Sequence, residues 1–555
     1  MANGTSTNRL WQFNGGLHLE EHKSESTRID IKQATLPDRI VLPLQQHIGE
    51  PAEPVVKVGD RVLTGQVIAR AQGYISVPLH ASGSGTVVDI GNHPVPHPSG
   101  LAAPCIVIEC DGKDEWVEHD PLHYQDLNSL DPSALRNVVR NAGIVGLGGA
   151  GFPSFIKLNP GRKTVDTLIL NGAECEPYIS CDDMTMRERP VEIIAGARIM
   201  KHALKAGRCI IGVEDNKPEA IRALQDAMGS DDSIELTTIP TIYPTGGEKQ
   251  IIKVLTGMEV PSQGLPIDIG VVCHNIGTAM AVYRSISLGV PLISRIITVT
   301  GSAVGKPCNL EVRIGTPMSH LLDQCETDRE HMAELIMGGP MMGVAMHDID
   351  VPVTKVTNCL LARRQEDIPA AHIAMPCIRC GECARACPVN LLPQQMYWYA
   401  HSKNFEKIQQ YNLFDCIECG CCAHVCPSRI PLVQYYRFAK TTIWEQEREK
   451  KKSDHARQRH EFRLERLERE KQEREEKRKQ KLAALDKKRG KDKGKDDKQA
   501  IIQAALERAR KKKEQNSVQP RNTDNLSPGQ SKLIQQVDER RKQLQQKDAD
   551  KDKTD

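Results

Sequence analysis

Eight of the eighteen cysteines in this 555-residue chain fall into two copies of one pattern. The first is Cys377-x2-Cys380-x2-Cys383-x3-Cys387-Pro388, and the second is Cys416-x2-Cys419-x2-Cys422-x3-Cys426-Pro427. This is the ligand spacing of a pair of [4Fe–4S] clusters. Three closely spaced thiolates each reach one iron of a cubane, and the fourth, beyond a turn, ligates the other cluster. The pattern assigns Cys377, Cys380, Cys383 and Cys426 to one cluster, and Cys416, Cys419, Cys422 and Cys387 to the second. Four-cysteine zinc sites are the alternative, but they more often show two separated C-x2-C knuckles.

Composition divides the rest of the chain. Residues from about 30 to 440 mix apolar runs with Gly and Pro and read as globular, whereas Lys, Arg, Glu, Gln and Asp dominate from Glu445 onward. A net charge of +2 makes no case for a nucleic-acid partner. The opening Met1-Ala2-Asn3-Gly4 lacks the charged and apolar regions of a signal peptide. So many free thiols predict a reducing compartment, hence a cytoplasmic location. The best membrane candidate, Ile269 to Tyr283, is short and carries His274 and Asn275, which argues against a span.

Short strands broken by turns occupy residues 40–110. The run Val55 to Val62 with Ser82-Gly83-Ser84-Gly85-Thr86-Val87-Val88 resembles a biotinyl/lipoyl-like barrel-sandwich. His80-Ala81-Ser82-Gly83 stands where such carriers display their modified lysine, so the segment reads as structural. Residues 130–290 alternate strands (Thr167–Leu170, Cys209–Val213) with helices (Val191–Ala206, Pro218–Met228), as a parallel α/β layer does. Strands return at Ile296–Gly301 and Leu310–Gly315. Two short helices are expected across Leu391–Phe414, which suits an α-helical ferredoxin-type domain. The tail predicts a long charged helix over Thr441–Lys488, a short one over Ala500–Lys513, and disorder around Gly490, Gly494, Pro520 and Pro528.

The second chemical signal is Gly146-Leu147-Gly148-Gly149-Ala150-Gly151-Phe152-Pro153. Such a run lets backbone N–H groups close around a phosphate, and Lys157 could add a counter-charge. It does not fit the strand–GxGxxG–helix fingerprint, and the loop alone leaves phosphate binding and an unliganded turn both open. Three further segments carry suitable groups: Asn171-Gly172-Ala173-Glu174-Cys175-Glu176-Pro177, Tyr243-Pro244-Thr245-Gly246-Gly247-Glu248 and Cys273-His274-Asn275-Ile276-Gly277-Thr278.

In this order the motifs resemble the flavin subunit of respiratory complex I and related diaphorases. With the barrel-sandwich before and the cysteine pair behind, they resemble the RnfC/RsxC family of the Rnf/Rsx ion-translocating electron-transport complexes. Phe13-Asn14-Gly15-Gly16-Leu17-His18 and Glu21-His22-Lys23 are similar to that family's opening. The resemblance covers about residues 10 to 435.

It implies FMN held by Gly146, Gly148 and Lys157 at the loop, and by Asn171, Glu174 and Cys175 along the isoalloxazine and ribityl chain. Tyr243, Gly246 and Glu248 would close the pocket, with Asn275 and Thr278 near the phosphate and Phe152 and Glu176 facing NADH. Ala173 and Gly247 depart from the complex I pattern, which has acidic residues there.

The implied architecture is multidomain α/β. It runs from an N-terminal segment (1–40) through a barrel-sandwich hybrid (41–125) and a Rossmann-like FMN/NADH-binding α/β domain (126–290). A β-grasp ligand-binding domain (291–350), an α-helical domain with two [4Fe–4S] clusters (365–437) and a charged helical and disordered tail (441–555) follow.

The implied function is that of a peripheral component on the cytoplasmic side of the cell inner membrane. It would pass electrons between NADH, FMN and the clusters, while integral-membrane and other partner subunits link transfer to ion movement. Ferredoxin or another low-potential carrier is the implied exchange partner of the complex. No catalytic acid, base or nucleophile is expected. His372 and His424 read as bystanders of the clusters, as does the extra thiol of Cys421, and Cys359 reads as buried. The alternatives are a soluble cobalamin or flavodoxin reductase on the same domains, and a cluster-bearing scaffold that binds no nucleotide.

Overall fold

A computed structural model describes residues 9–119, 121–122, 126–229, 232–368, 373–489, 498–515 and 539. The expected disorder of the tail and the assignment of His372 lie outside the described residues. Met1–Arg448 form one compact unit, and Glu449–Asp555 a second.

The apolar runs Leu168-Ile169-Leu170, Cys209-Ile210-Ile211 and Val271-Val272-Cys273 are wholly buried, as central strands of a sheet covered on both faces must be. They belong to a four-stranded parallel sheet ordered Ile234–Ile239, Arg208–Glu214, Thr167–Gly172, Val271–Asn275. In order of appearance along the chain that is 3-2-1-4, so the first and last strands are neighbours. Their carboxyl ends form the crevice in which open α/β sheets bind ligands. The helices Pro190–Leu204 and Ile276–Ser287 pack so closely that a Cβ on Gly196 would lie 2.0 Å from the Ala279 carbonyl oxygen.

The barrel-sandwich strands run from Arg39–Pro43 to Ala102–Cys110 and form two antiparallel sheets. Their hairpin tip is not displayed. His80, Ala81 and Ser82 are buried, and the Ser82 hydroxyl donates to the Ile314 carbonyl.

The next domain is a six-stranded mixed sheet ordered Lys32–Gln33, Cys308–Arg313, Ser294–Thr300, Cys359–Arg364, Met332–Met337, Val344–Ala345. Two of its strands come from outside the stretch 291–350. Cys359–Arg364 pairs parallel with Ser294–Thr300 in the centre of the sheet, and Lys32–Gln33 pairs parallel with Cys308–Arg313 at its edge.

The cysteine-rich region is helical. Pro393–His401 and Phe405–Gln410 bury Met396, Ala400 and Ile408 against Leu432, Tyr436, Ala439 and Ile443, at the start of the helix Leu432–Arg489. That helix begins well before the expected Thr441 because its first turns are part of this core. In the second unit the helix exposes Phe462, Leu464 and Leu467, and Lys498–Gln515 is a separate helix.

Candidate functional site

Each cysteine copy places a short helix after a left-handed glycine: Gly381 (φ 82°) before Glu382–Arg385, and Gly420 (φ 83°) before Cys421–His424. Left-handed residues recur at matching places, Arg379 with Glu418 and Asn390 with Arg429. These bends turn successive thiols inward. Two cavities result. One, partly open to solvent, is lined by Cys377, Cys380, Cys383 and Cys426. The other is lined by Cys387, Cys416, Cys419 and Cys422. In each, three thiols come from one copy and the fourth from the other.

The remaining lining is largely apolar, with Ile378, Tyr397, Ile430 and Leu432 at the first cavity and Val389, Leu391, Met396 and Tyr436 at the second. A soft-metal cluster fits that donor set. Cys380 is exposed, whereas Cys387, Cys419 and Cys422 are buried. Burial pushes the Cys416 thiol up to about 11. Cys421 is buried beside Cys419 and lines neither cavity, and His424 is exposed.

At the crevice of the parallel sheet, Asn171 and Asn275 stand opposite each other in register. Asn171 donates from Nδ2 to the Gly246 carbonyl (2.8 Å) and accepts from Ala173 N–H, which ties two of the predicted segments together. Asn275 caps the helix Ile276–Ser287 through Gly277 N–H (2.8 Å) and donates to Asp182 Oδ2 (2.6 Å). Thr278 accepts from Leu147 N–H (3.0 Å), fixing the glycine-rich loop over the same helix.

Gly148, Gly149 and Ala150 are exposed, and among the described residues no hydrogen bond of ordinary geometry occupies their N–H groups. Gly149 has φ +103°, and a Cβ built on it meets nothing within 4 Å. A loop of free N–H groups at this crevice is a fitting cradle for the phosphate of a flavin mononucleotide.

Several predicted residues are engaged elsewhere. Lys157 pairs with Glu248 and also donates to the Cys273 carbonyl (3.0 Å). Glu174 turns its carboxylate inward, accepting from the N–H groups of Asp182 (2.8 Å) and Asp183 (3.3 Å) at the start of the helix Cys181–Glu188. Cys175 Sγ accepts from Gly246 N–H (3.4 Å). Glu176 accepts from Met341 N–H (2.7 Å) and Met342 N–H (3.0 Å), so it joins the parallel-sheet domain to the mixed-sheet domain. Burial raises its carboxyl above the usual range, and those two donors partly offset the rise.

Tyr243 is buried and donates from its hydroxyl to the Cys419 carbonyl (2.6 Å). Its ring therefore joins the crevice to the wall of the second thiol cavity. Phe152 is half-buried, and its carbonyl accepts from Gly146 N–H (2.8 Å), closing the loop on itself.

Sequence reasoning missed Asp182, whose carboxylate meets Asn275. Burial, and then the nearby Glu174, push it up to about 7. It also missed the buried pair Lys217–Glu214, whose carboxylate receives Glu174 N–H (3.1 Å). A carboxylate closing the strand Arg208–Glu214 with a lysine three residues on was the available signal.

Family models match four segments of the chain. They are described as the RnfC barrel sandwich hybrid domain (residues 11–113), the Nuo51 FMN-binding domain (139–284), the SLBB domain (296–345) and the 4Fe-4S dicluster domain (376–430). Three similar curated proteins are each named as the C component of an ion-translocating oxidoreductase complex. The Pseudomonas aeruginosa protein is 49% identical over 82% of this chain and 59% of its own length. The Vibrio cholerae O1 El Tor protein is 46% identical over 92% and 66%. The Serratia proteamaculans protein is 45% identical over 91% and 70%. The chain thus spans between 59% and 70% of the length of these relatives. Among solved structures, an air-oxidized NAD+-reducing [NiFe]-hydrogenase overlaps 54% of this chain and 60% of its own, at 18% identity and a TM-score of 0.39.

Proposed function

This chain belongs to the RnfC family, the C components of ion-translocating oxidoreductase complexes, and on that premise we propose that it is the NADH-reactive, peripheral subunit of such a complex. It exchanges electrons between NADH and two [4Fe–4S] clusters through FMN, while partner subunits link the transfer to ion movement across the membrane. The observation that carries this reading is the contact between the two kinds of site. The turn of Tyr243 and Gly246 touches Asn171 of the crevice on one side and Cys419 of the second thiol cavity on the other.

FMN, when bound, supplies the exchange between hydride chemistry and single-electron carriers. The chain's own groups bind and orient it. The N–H groups of Gly148–Ala150 hold the phosphate, and Asn171 and Gly246 frame the ring. Lys157 and Glu248, already paired, fix the far wall. Glu176 and Phe152 border the nucleotide side. The buried ring of Tyr243 excludes water between the crevice and the second cavity. Cys377, Cys380, Cys383 and Cys426 hold one cluster, and Cys387, Cys416, Cys419 and Cys422 the other.

No helix among the described residues is long and apolar enough to cross a membrane. We place the protein on the cytoplasmic face of the inner membrane, attached through integral-membrane partners. Ferredoxin, or another low-potential carrier, is the complex's other exchange partner.

The test is anaerobic purification, flavin extraction and an absorbance titration with NADH. Released FMN and bleaching near 400 nm, roughly where thiolate–iron charge transfer lies, are expected. Iron without flavin and no response to NADH would leave a cluster-bearing scaffold and sink the dehydrogenase reading.

A further inference from the structure

The motif Glu21-His22-Lys23 lies far in sequence from every group assigned above, yet all three residues grip the segment that follows Asn171. The Glu21 carbonyl accepts from Tyr178 N–H (2.8 Å). The His22 ring stacks on the Tyr178 ring with centroids 4.5 Å apart and planes 6° from parallel. Lys23, only 8% exposed, donates from Nζ to the carbonyls of Glu176 (2.9 Å) and Ile179. The same ammonium lies 4.0 Å from Glu174 Oε2. Ser26 then meets Ser180 hydroxyl to hydroxyl at 2.7 Å.

A neutral donor could satisfy two carbonyls. Burying an ammonium instead costs several kcal/mol per ion unless it is paired, and its only carboxylate neighbour among the described ion pairs is Glu174. Glu174 and Glu176 flank Cys175 on the strand-end segment, so the charge of Lys23 is delivered to the backbone of that segment from behind. His22 (φ 52°) and Tyr178 (φ 68°) both take left-handed backbone, so the chain turns sharply on each side of this contact.

We propose that Lys23 is a positioning and charge-setting residue of the flavin site: it locks the segment Glu174–Ile179 in place and supplies the positive charge that favours the electron-rich form of the bound flavin. The proposal rests on the FMN reading above. A charge near the ring is one of the few means a protein has to tune a flavin. Among the described residues Lys23 is the buried cation that donates to the carbonyls of this segment; its carboxylate neighbour Glu174 lies 4.0 Å away, beyond hydrogen-bond distance, whereas Lys157 and Lys217 are hydrogen-bonded to Glu248 and Glu214.

The test uses the full chain, anaerobically loaded, as wild type, Lys23→Met, Lys23→Gln and Lys23→Arg. Flavin content, iron content, the midpoint potential of the bound flavin and the KM for NADH are measured. Lys23→Met is expected to keep both clusters while the flavin potential falls, with the equilibrium for reduction by NADH weakened about tenfold or more. Lys23→Arg recovers most of that loss. Lys23→Gln keeps a donor without charge and tracks Lys23→Met, so it carries the comparison with Lys23→Arg if the methionine variant does not fold. Unchanged potential and KM in Lys23→Gln, with only a lower melting temperature, would reduce Lys23 to a structural clamp and overturn the proposal. Wild-type protein that holds iron but no FMN would instead overturn the reading on which the proposal stands.

Discussion

Gly339 sits where no side chain has room. A Cβ built on it would lie 2.0 Å from Cγ of Glu176, the residue that accepts from Met341 and Met342 N–H. Gly339→Ala should push Glu176 off those donors and destabilise by about 1–3 kcal/mol, as overpacking does. The expected result is a lower thermal midpoint and a raised KM for NADH, with iron content unchanged; a variant matching wild type on both counts would show that Glu176 does not need these donors. The thiols allow a sharper comparison. Cys419→Ser is expected to lose about half the bound iron, because it would remove one ligand of one of the two proposed clusters. Cys421→Ser, separated from Cys419 by a single glycine but lining neither cavity, should keep all of it. Iron and sulfide analysis distinguishes them, and equal losses would redraw the ligand set. At this scale the cysteines were legible because a cubane imposes spacing within a dozen residues. Asp182 was not, and Lys23 showed only as part of the opening motif, because their partners Asn275 and Glu176 are brought to them only by tertiary structure.

The strand Val271–Asn275 forms one side of the crevice and ends at the helix it caps. Its last residue makes two bonds with different consequences: Oδ1 holds Gly277 N–H, and Nδ2 holds Asp182. Asn275→Ala should cost about 1–2 kcal/mol through the lost cap and should lower flavin occupancy further than stability alone explains. Asn275→Asp keeps the cap but sets a carboxylate against Asp182, so it should retain the helix while losing flavin. Retained FMN in both variants, measured by extraction, would remove Asn275 from the site. The strands and helices of this layer were readable because apolar runs bounded by Gly and Pro alternate with amphipathic stretches. Cys359–Arg364 escaped because it is a short apolar run, and only its pairing with Ser294–Thr300 on one side and Met332–Met337 on the other makes it a strand. The edge strand Lys32–Gln33 escaped for the opposite reason: two exposed polar residues carry no periodicity at all.

For the whole molecule, the order of modules was plain from motifs, but the way they lock together was not. Lys355 shows why. It is fully buried where three modules meet, donating to the carbonyl of Gly143 (2.7 Å) below the glycine-rich loop and to that of Pro78 (3.4 Å) in the barrel-sandwich. The groups facing it are the His80 ring, whose Nδ1 has no partner among the described residues, His47, and backbone carbonyls; no carboxylate pairs with it among the described ion pairs. Burial lowers Lys355 to about 7. In the unfolded chain a lysine titrates near 10.4, so between those values the unfolded state binds the extra proton and stability rises with pH. The slope there approaches about 1.4 kcal/mol per pH unit. Below about 7 the lysine is protonated in both states and the burial cost is present in full. His80 extends the trend into acid. Burial first, and then Lys355, lower it to about 3, so stability falls as pH drops from about 6.5 towards that value. Thermal midpoints of wild type should therefore climb from pH 7 to pH 10 relative to Lys355→Met, in which this part of the rise disappears, while His80→Leu should flatten only the acid limb. Parallel curves for wild type and Lys355→Met would mean that the lysine reaches water, and that the glycine-rich loop is anchored to the barrel-sandwich by packing rather than by this buried amine.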